Sequence, residues 1–256
     1  MAEFLHFQPM QELGDSSPVK SEEAAEVVFW DTMPPLFGLP RFQRPFSWRS
    51  LGVDVRGRSY TLRINYRTSH QIRVQADRLL PPALADVDGN AEDRRGTVSV
   101  FNGPAPEIET FDDPDQESEA VGSWISGRVE HAVQPHEIGI FVRSSRELRR
   151  ARSAVKQAGV QAIELSDKIE ITPGSLSIGA IHLAKGLEFR AVAVTACDDE
   201  IIPSQERIEN VADHADLEEV YDSERHLLYV ACTRARDHLL VTGVKPASEF
   251  LGDLVN

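Results

Sequence analysis

The sequence predicts an α/β fold in which a mainly parallel sheet is covered by helices on both faces. Three observations carry that reading. From about residue 138 onward, short apolar runs of strand length alternate with longer stretches of helical period, the order that gives parallel strands joined by helical crossovers. The runs at 138–142 and 178–183 are apolar without alternation, as strands buried on both faces are. A chain of 256 residues, 41% hydrophobic and 27% charged, can also bury a proper core, as one large domain or two small ones.

Composition excludes several classes. No apolar run reaches the length of a membrane span, and Met1 opens no basic-then-apolar leader, so a cytoplasmic location and no membrane partner are expected. Cys197 and Cys232 have no partner spacing for a disulfide framework or a zinc site. A net charge of −14 argues against coating duplex DNA by bulk electrostatics.

Residues 1–40 form a heterogeneous N-terminal segment of unclear origin, set apart from 41–256. Neither part contains the G-x-x-x-x-G-K-[ST] loop that cradles phosphates. Residues 41–78 hold nine arginines against Asp54 and Asp77, which suits either a solvated basic face or a phosphate-facing surface. Within them, 61–64 alternates like a strand, and Ser69 suits the cap of a helix over 70–80 that stops at Pro81-Pro82. Strands are expected at 97–101 and 108–111, then a helix from Pro114 to about His131 with Asp115, Glu117 and Glu119 at its positive end.

After the strand at 138–142, Ser144 or Ser145 caps a helix ending at Gly159, and 160–165 reads as a strand. Residues 177–189, SIGAIHLAKGLEF, then join an apolar run to a Lys185-Gly186 turn and Glu188. Backbone amides, an ammonium and a carboxylate would meet there at a strand's end, where open α/β sheets bind ligands. A strand at 191–196 leads into an acidic, mobile loop over 198–219. A helix at 216–236 follows, a strand at 238–242 and a terminal helix at 248–254. On the long helix Val220, Glu224, Leu227, Ala231 and Arg234 share one stripe, so Arg234 prolongs an apolar face.

Three blocks now carry a resemblance: LRINYRTSHQI at 62–72, IHLAKGLEF at 181–189 and ERHLLYVACTRARDHLLV at 224–241. They resemble, in order and in placement at strand ends, the last three motifs of UvrD/Rep-type superfamily 1 DNA helicases. The resemblance frames roughly residues 42–245 and implies the second, C-terminal RecA-like lobe of such a motor. It implies that Tyr66 stacks on adenine, that Arg67 and Arg234 reach the γ-phosphate, and that Arg234 acts as an arginine finger. Glu188 would accept from a ribose hydroxyl, with Gly186 as the close-approach glycine beside it. His182 and Lys185 would face single-stranded DNA, although Ala180 stands where a threonine often precedes the histidine, and a structural histidine is the plainer reading of His182. The residue chemistry agrees, since an aromatic face suits a base and a guanidinium binds phosphate bidentately.

Departures shape the expectation. Leu39-Pro40-Arg41 stands where a nucleotide-sensing glutamine is usual, the first lobe's acidic pair is not recognisable, and only about 105 residues separate Ser69 from Ser175, so the large accessory insertion of the family is expected to be absent or much reduced. The expected function is the C-terminal motor lobe of an ATP-dependent DNA helicase. It would share ATP and Mg2+ with a first lobe supplied in cis or trans, and would be inactive without it. The alternative is a non-catalytic module derived from a helicase that binds nucleic acid or protein.

Overall fold

The computed structural model describes residues 64–80, 83–85, 91–93, 97–166, 172–211 and 214–255. Every described residue belongs to one compact unit, within Met33–Asn256. Strands β1 (Ile64–Asn65), β2 (Ala83–Ala85), β3 (Ala91–Asp93) and β4 (Val98–Ser99) form two small sheets, β1 with β4 and β2 with β3. The main sheet holds β5 (Glu107–Phe111), β6 (Ile138–Val142), β7 (Ala162–Glu164), β8 (Leu176–Ala180), β9 (Phe189–Val194) and β10 (Ala235–Val244). Its order is β5-β10-β9-β6-β8-β7, and every pairing is parallel.

The helices are α1 (His70–Asp77), α2 (Pro114–Glu130), α3 (Leu148–Ala158), α4 (Gln205–Glu209), α5 (His214–Cys232) and α6 (Glu249–Val255). They cover both faces. On one face Ile72 and Ala76 of α1, Leu227 and Leu228 of α5 and Phe250 of α6 pack on Phe141, Val192 and Val241. On the other, Val121 and Ile125 of α2 and Ala151 and Val155 of α3 pack on Ile140, Ile178 and Ala193. Successive strand residues therefore serve opposite cores, the reason these strands read as unbroken apolar runs.

Local chemistry sets the boundaries. Asp113 accepts from the amides of Asp115 and Gln116 ahead of α2, Ser144 and Glu147 form a capping box ahead of α3, and Gly159 closes α3 at φ +67°. Three expectations need correction. The run at 178–183 is not one strand: β8 stops at Ala180, and Ile181–Ala184 is a 3₁₀ turn. The helix expected over 216–236 stops at Cys232, and just beyond it Thr233 Oγ1 donates to the carbonyls of Tyr229 and Val230. Arg234 then lies in the turn and Arg236 in β10. The stretch 198–219, read as a mobile loop, contains α4 and the start of α5.

Candidate nucleotide-facing site

Residues 181–188 carry the chain across β6, from the carboxyl end of β8 to the amino end of β9. The Lys185-Gly186 turn and Glu188 therefore stand at the amino edge of the sheet, not at the carboxyl edge where the sequence reading put them. Arg234, directly before β10, stands at the same edge. The N-terminus of α1 joins them, since the Ser69 amide donates to the Arg236 carbonyl at 3.0 Å.

The side chains converge on residues 187–188. Arg67 Nε pairs with Glu188 Oε1, and Arg234 donates to the Leu187 carbonyl at 3.5 Å and to the Val230 carbonyl at 3.2 Å. Arg234 is 7% exposed, whereas Arg67 and Glu188 leave 49% and 57% of their side chains in solvent. Tyr66, beside Arg67, is 70% exposed and presents an open ring. Gly186 has φ +81° and would meet no protein atom within 4 Å if it gained a Cβ, so backbone conformation rather than crowding within the chain calls for glycine. His182 and Lys185 are exposed on the crossover.

Sequence reasoning missed Asn65. Its Oδ1 accepts from the amides of Arg67 (2.8 Å) and Thr68 (3.1 Å), an Asx turn that fixes the Tyr66-Arg67 loop, and an asparagine just ahead of a turn was the available signal. Thr68 Oγ1 adds a bond to the Thr233 carbonyl.

Two of the described arginines of the basic stretch at 41–78 are engaged within the chain. Arg73 is held by Asp77 and Ser99, and Arg78 donates to the carbonyls of Leu254 and Val255, so both tie α1 to its neighbours. Of its nine arginines, only these two and Arg67 fall within the described residues.

An exposed aromatic face beside two guanidiniums and a carboxylate fits a base attached to a phosphate chain. The donor set does not fit a metal: among the described residues no group of three His, Cys, Asp or Glu side chains could hold an ion, so no step is assigned to Mg2+ on this chain. Among the described residues, no helix is long and apolar enough to cross a membrane.

Comparison with known proteins completes the picture. Residues 155–245 match the UvrD-like helicase C-terminal domain. The chain is similar to the DNA helicase II of Rickettsia typhi, 36% identical over 77 residues, which cover 30% of this chain and 11% of that protein. It is also similar to the Mycoplasma capricolum protein named "Probable DNA helicase II homolog", 44% identical over 70 residues, 27% of this chain and 9% of that one. The chain thus spans about a tenth of the length of these curated relatives. The crystal structure of the C-terminal domain of a possible DNA helicase from Lactobacillus plantarum superposes with a TM-score of 0.51 at 22% identity, covering 74% of this chain and 94% of that one. At that identity the likeness speaks for the fold.

Proposed function

Because residues 155–245 carry a UvrD-like helicase C-terminal domain, we propose that the chain is the second motor lobe of an ATP-dependent DNA helicase. The observation that supports this best is the meeting of three distant segments, 65–69, 186–189 and 233–236, at one edge of the sheet. In this reading Tyr66 stacks on the adenine of a nucleotide presented by a first lobe. Arg67 reaches the terminal phosphate through the guanidinium nitrogens that Glu188 does not engage. Arg234 stabilises the charge that develops there, and Glu188 accepts from a ribose hydroxyl through its second oxygen. Mg2+ would be held by residues of the first lobe, where it would supply charge neutralisation, and this chain would contribute only its guanidiniums, its carboxylate and its aromatic ring. His182 and Lys185 contact single-stranded DNA, where few phosphates are neutralised, so binding is weak and salt-sensitive.

The test is phosphate release by the purified chain, with and without single-stranded DNA, before and after addition of the phosphate-loop lobe of a UvrD-like helicase. Turnover should appear only in the mixture and fall ~10³- to 10⁵-fold in Arg234→Ala, the range of an arginine finger. Turnover by the chain alone that Arg234→Ala leaves untouched contradicts the proposal. Single-stranded DNA binding without turnover in any mixture favours the non-catalytic module.

A further inference from the structure

One five-residue stretch, 233–237, holds the other two segments of the candidate site. The Thr233 carbonyl accepts from Thr68 Oγ1 at 3.2 Å, the Arg234 carbonyl from the Phe189 amide at 3.0 Å and the Arg236 carbonyl from the Ser69 amide at 3.0 Å. The last bond depends on an irregularity. Along β9 and β10, Ala235 pairs with Phe189 and the next pair is His238 with Ala191. Arg236 and Asp237 therefore stand opposite the single Arg190, a β-bulge, and bulges leave a residue out of the ladder and re-aim its neighbours. Here the bulge frees the Arg236 carbonyl to meet the N-terminus of α1.

Asp237 closes that bulge. Its carboxylate accepts from Arg236 Nε and Nη2, both at 2.9 Å, and from Arg190 Nε at 3.2 Å, so one acid ties together the residues that the bulge sets against each other. Arg190 is held in turn by Glu137 at 3.4 Å and the Ala132 carbonyl at 3.3 Å. Burial alone raises the Asp237 carboxyl pKa, but the two guanidiniums outweigh it and hold it below its usual range. The packing leaves little slack: a Cβ on Gly103 would lie 2.9 Å from Ser69 Cβ and 3.2 Å from the Asp237 carbonyl oxygen.

We propose that Asp237 is a positioning residue for the nucleotide-facing site: by clamping the bulge it sets the Tyr66-Arg67 loop and the Glu188 turn against Arg234. Its consequence for nucleotide rests on the function proposed above, whereas its mechanics do not. The experiment has two readouts on the full chain. Amide hydrogen exchange is followed at Ser69 and Phe189, with the β6–β8 ladder as internal reference, in wild type, Asp237→Asn and Asp237→Glu. Binding of a fluorescent, slowly hydrolysed ATP analogue, in the presence of the first lobe, is followed in the same proteins and in Arg234→Ala.

Asp237→Asn should quicken exchange at both amides roughly tenfold or more, the scale of a lost charge-assisted contact, and leave the reference ladder unchanged. It should weaken nucleotide binding in the same direction as Arg234→Ala, and Asp237→Glu should restore part of both effects. If Asp237→Asn folds poorly, Arg190→Gln removes the other side of the clamp and should give the same pattern. Unchanged exchange at Ser69 and Phe189 in these variants overturns the proposal, and so does quickened exchange with nucleotide binding weakened only in Arg234→Ala. Quickened exchange with binding indifferent to Arg234→Ala as well brings down the nucleotide reading and leaves the clamp standing.

Discussion

The two edges of the six-stranded sheet handle charge in opposite ways. Above the carboxyl edge two acids, Glu224 and Glu117, are buried and saturated. Glu224, 0% exposed, accepts two bonds from Arg143 at 2.6 Å, one from Arg207 at 2.7 Å and one from the Ser204 amide. Glu117 is equally enclosed between Arg150, Thr242 Oγ1 and the Ala196 amide, and Asp198 takes the other side of Arg150. At the amino edge Arg67 and Glu188 form a pair open to water beside an exposed tyrosine. Buried networks with every lone pair occupied have no capacity left for a ligand, and they specify how elements pack. Half-exposed groups that a backbone scaffold already orients can exchange one partner for another at little cost. The comparison therefore sets two saturated structural acids at one edge against an open ion pair at the other, the edge to which the proposed function assigns ligand chemistry.

The largest stability effect should come from the buried side. Glu224→Ala leaves Arg143 and Arg207 without their shared acid, and chemical denaturation should show a loss of about 3–5 kcal/mol; a loss below that of an ordinary surface change would put the networks on a par with the open edge. Gly186→Ala comes next. It meets no steric obstacle within the chain, so the cost is the backbone's alone, about 1–2 kcal/mol for a left-handed residue with a side chain. Smallest is the coupling between Arg67 and Glu188 in a double-mutant cycle, below about 1 kcal/mol and shrinking with salt. A large, salt-insensitive coupling would make this pair another structural lock and erase the contrast between the edges.

Much of this was legible in the sequence, and the exceptions have physical causes. Ser144, Gly159 and Pro114 mark helix ends because capping chemistry is local. The pairing of Tyr66-Arg67 with Glu188 and Arg234 followed from the resemblance of three blocks, not from periodicity. What sequence hid was direction: a continuous apolar run at 178–183 does not reveal that its last three residues leave the strand, so sequence alone puts the Lys185-Gly186 turn and Glu188 at the carboxyl edge. It also hid the locks. Glu117 reads as a helix-dipole partner until Arg150, 33 positions away, closes on it, and Arg143 lies 81 positions from Glu224. The signal present was a carboxylate on the apolar stripe of α5, where an acid needs a buried cation. The bulge at Arg236-Asp237 left no trace at all, because register is a property of two strands.

Where the adenine binds is the most direct test of the proposed function. An azido-adenine analogue of ATP, photolysed with the chain and its first lobe, should label the tryptic peptide that spans residues 64–67 and contains Tyr66, with labelling competed by ATP. Competed labelling of the peptide spanning residues 191–207, which runs from within β9 over the carboxyl edge, would contradict the assignment of ligand chemistry to the amino edge.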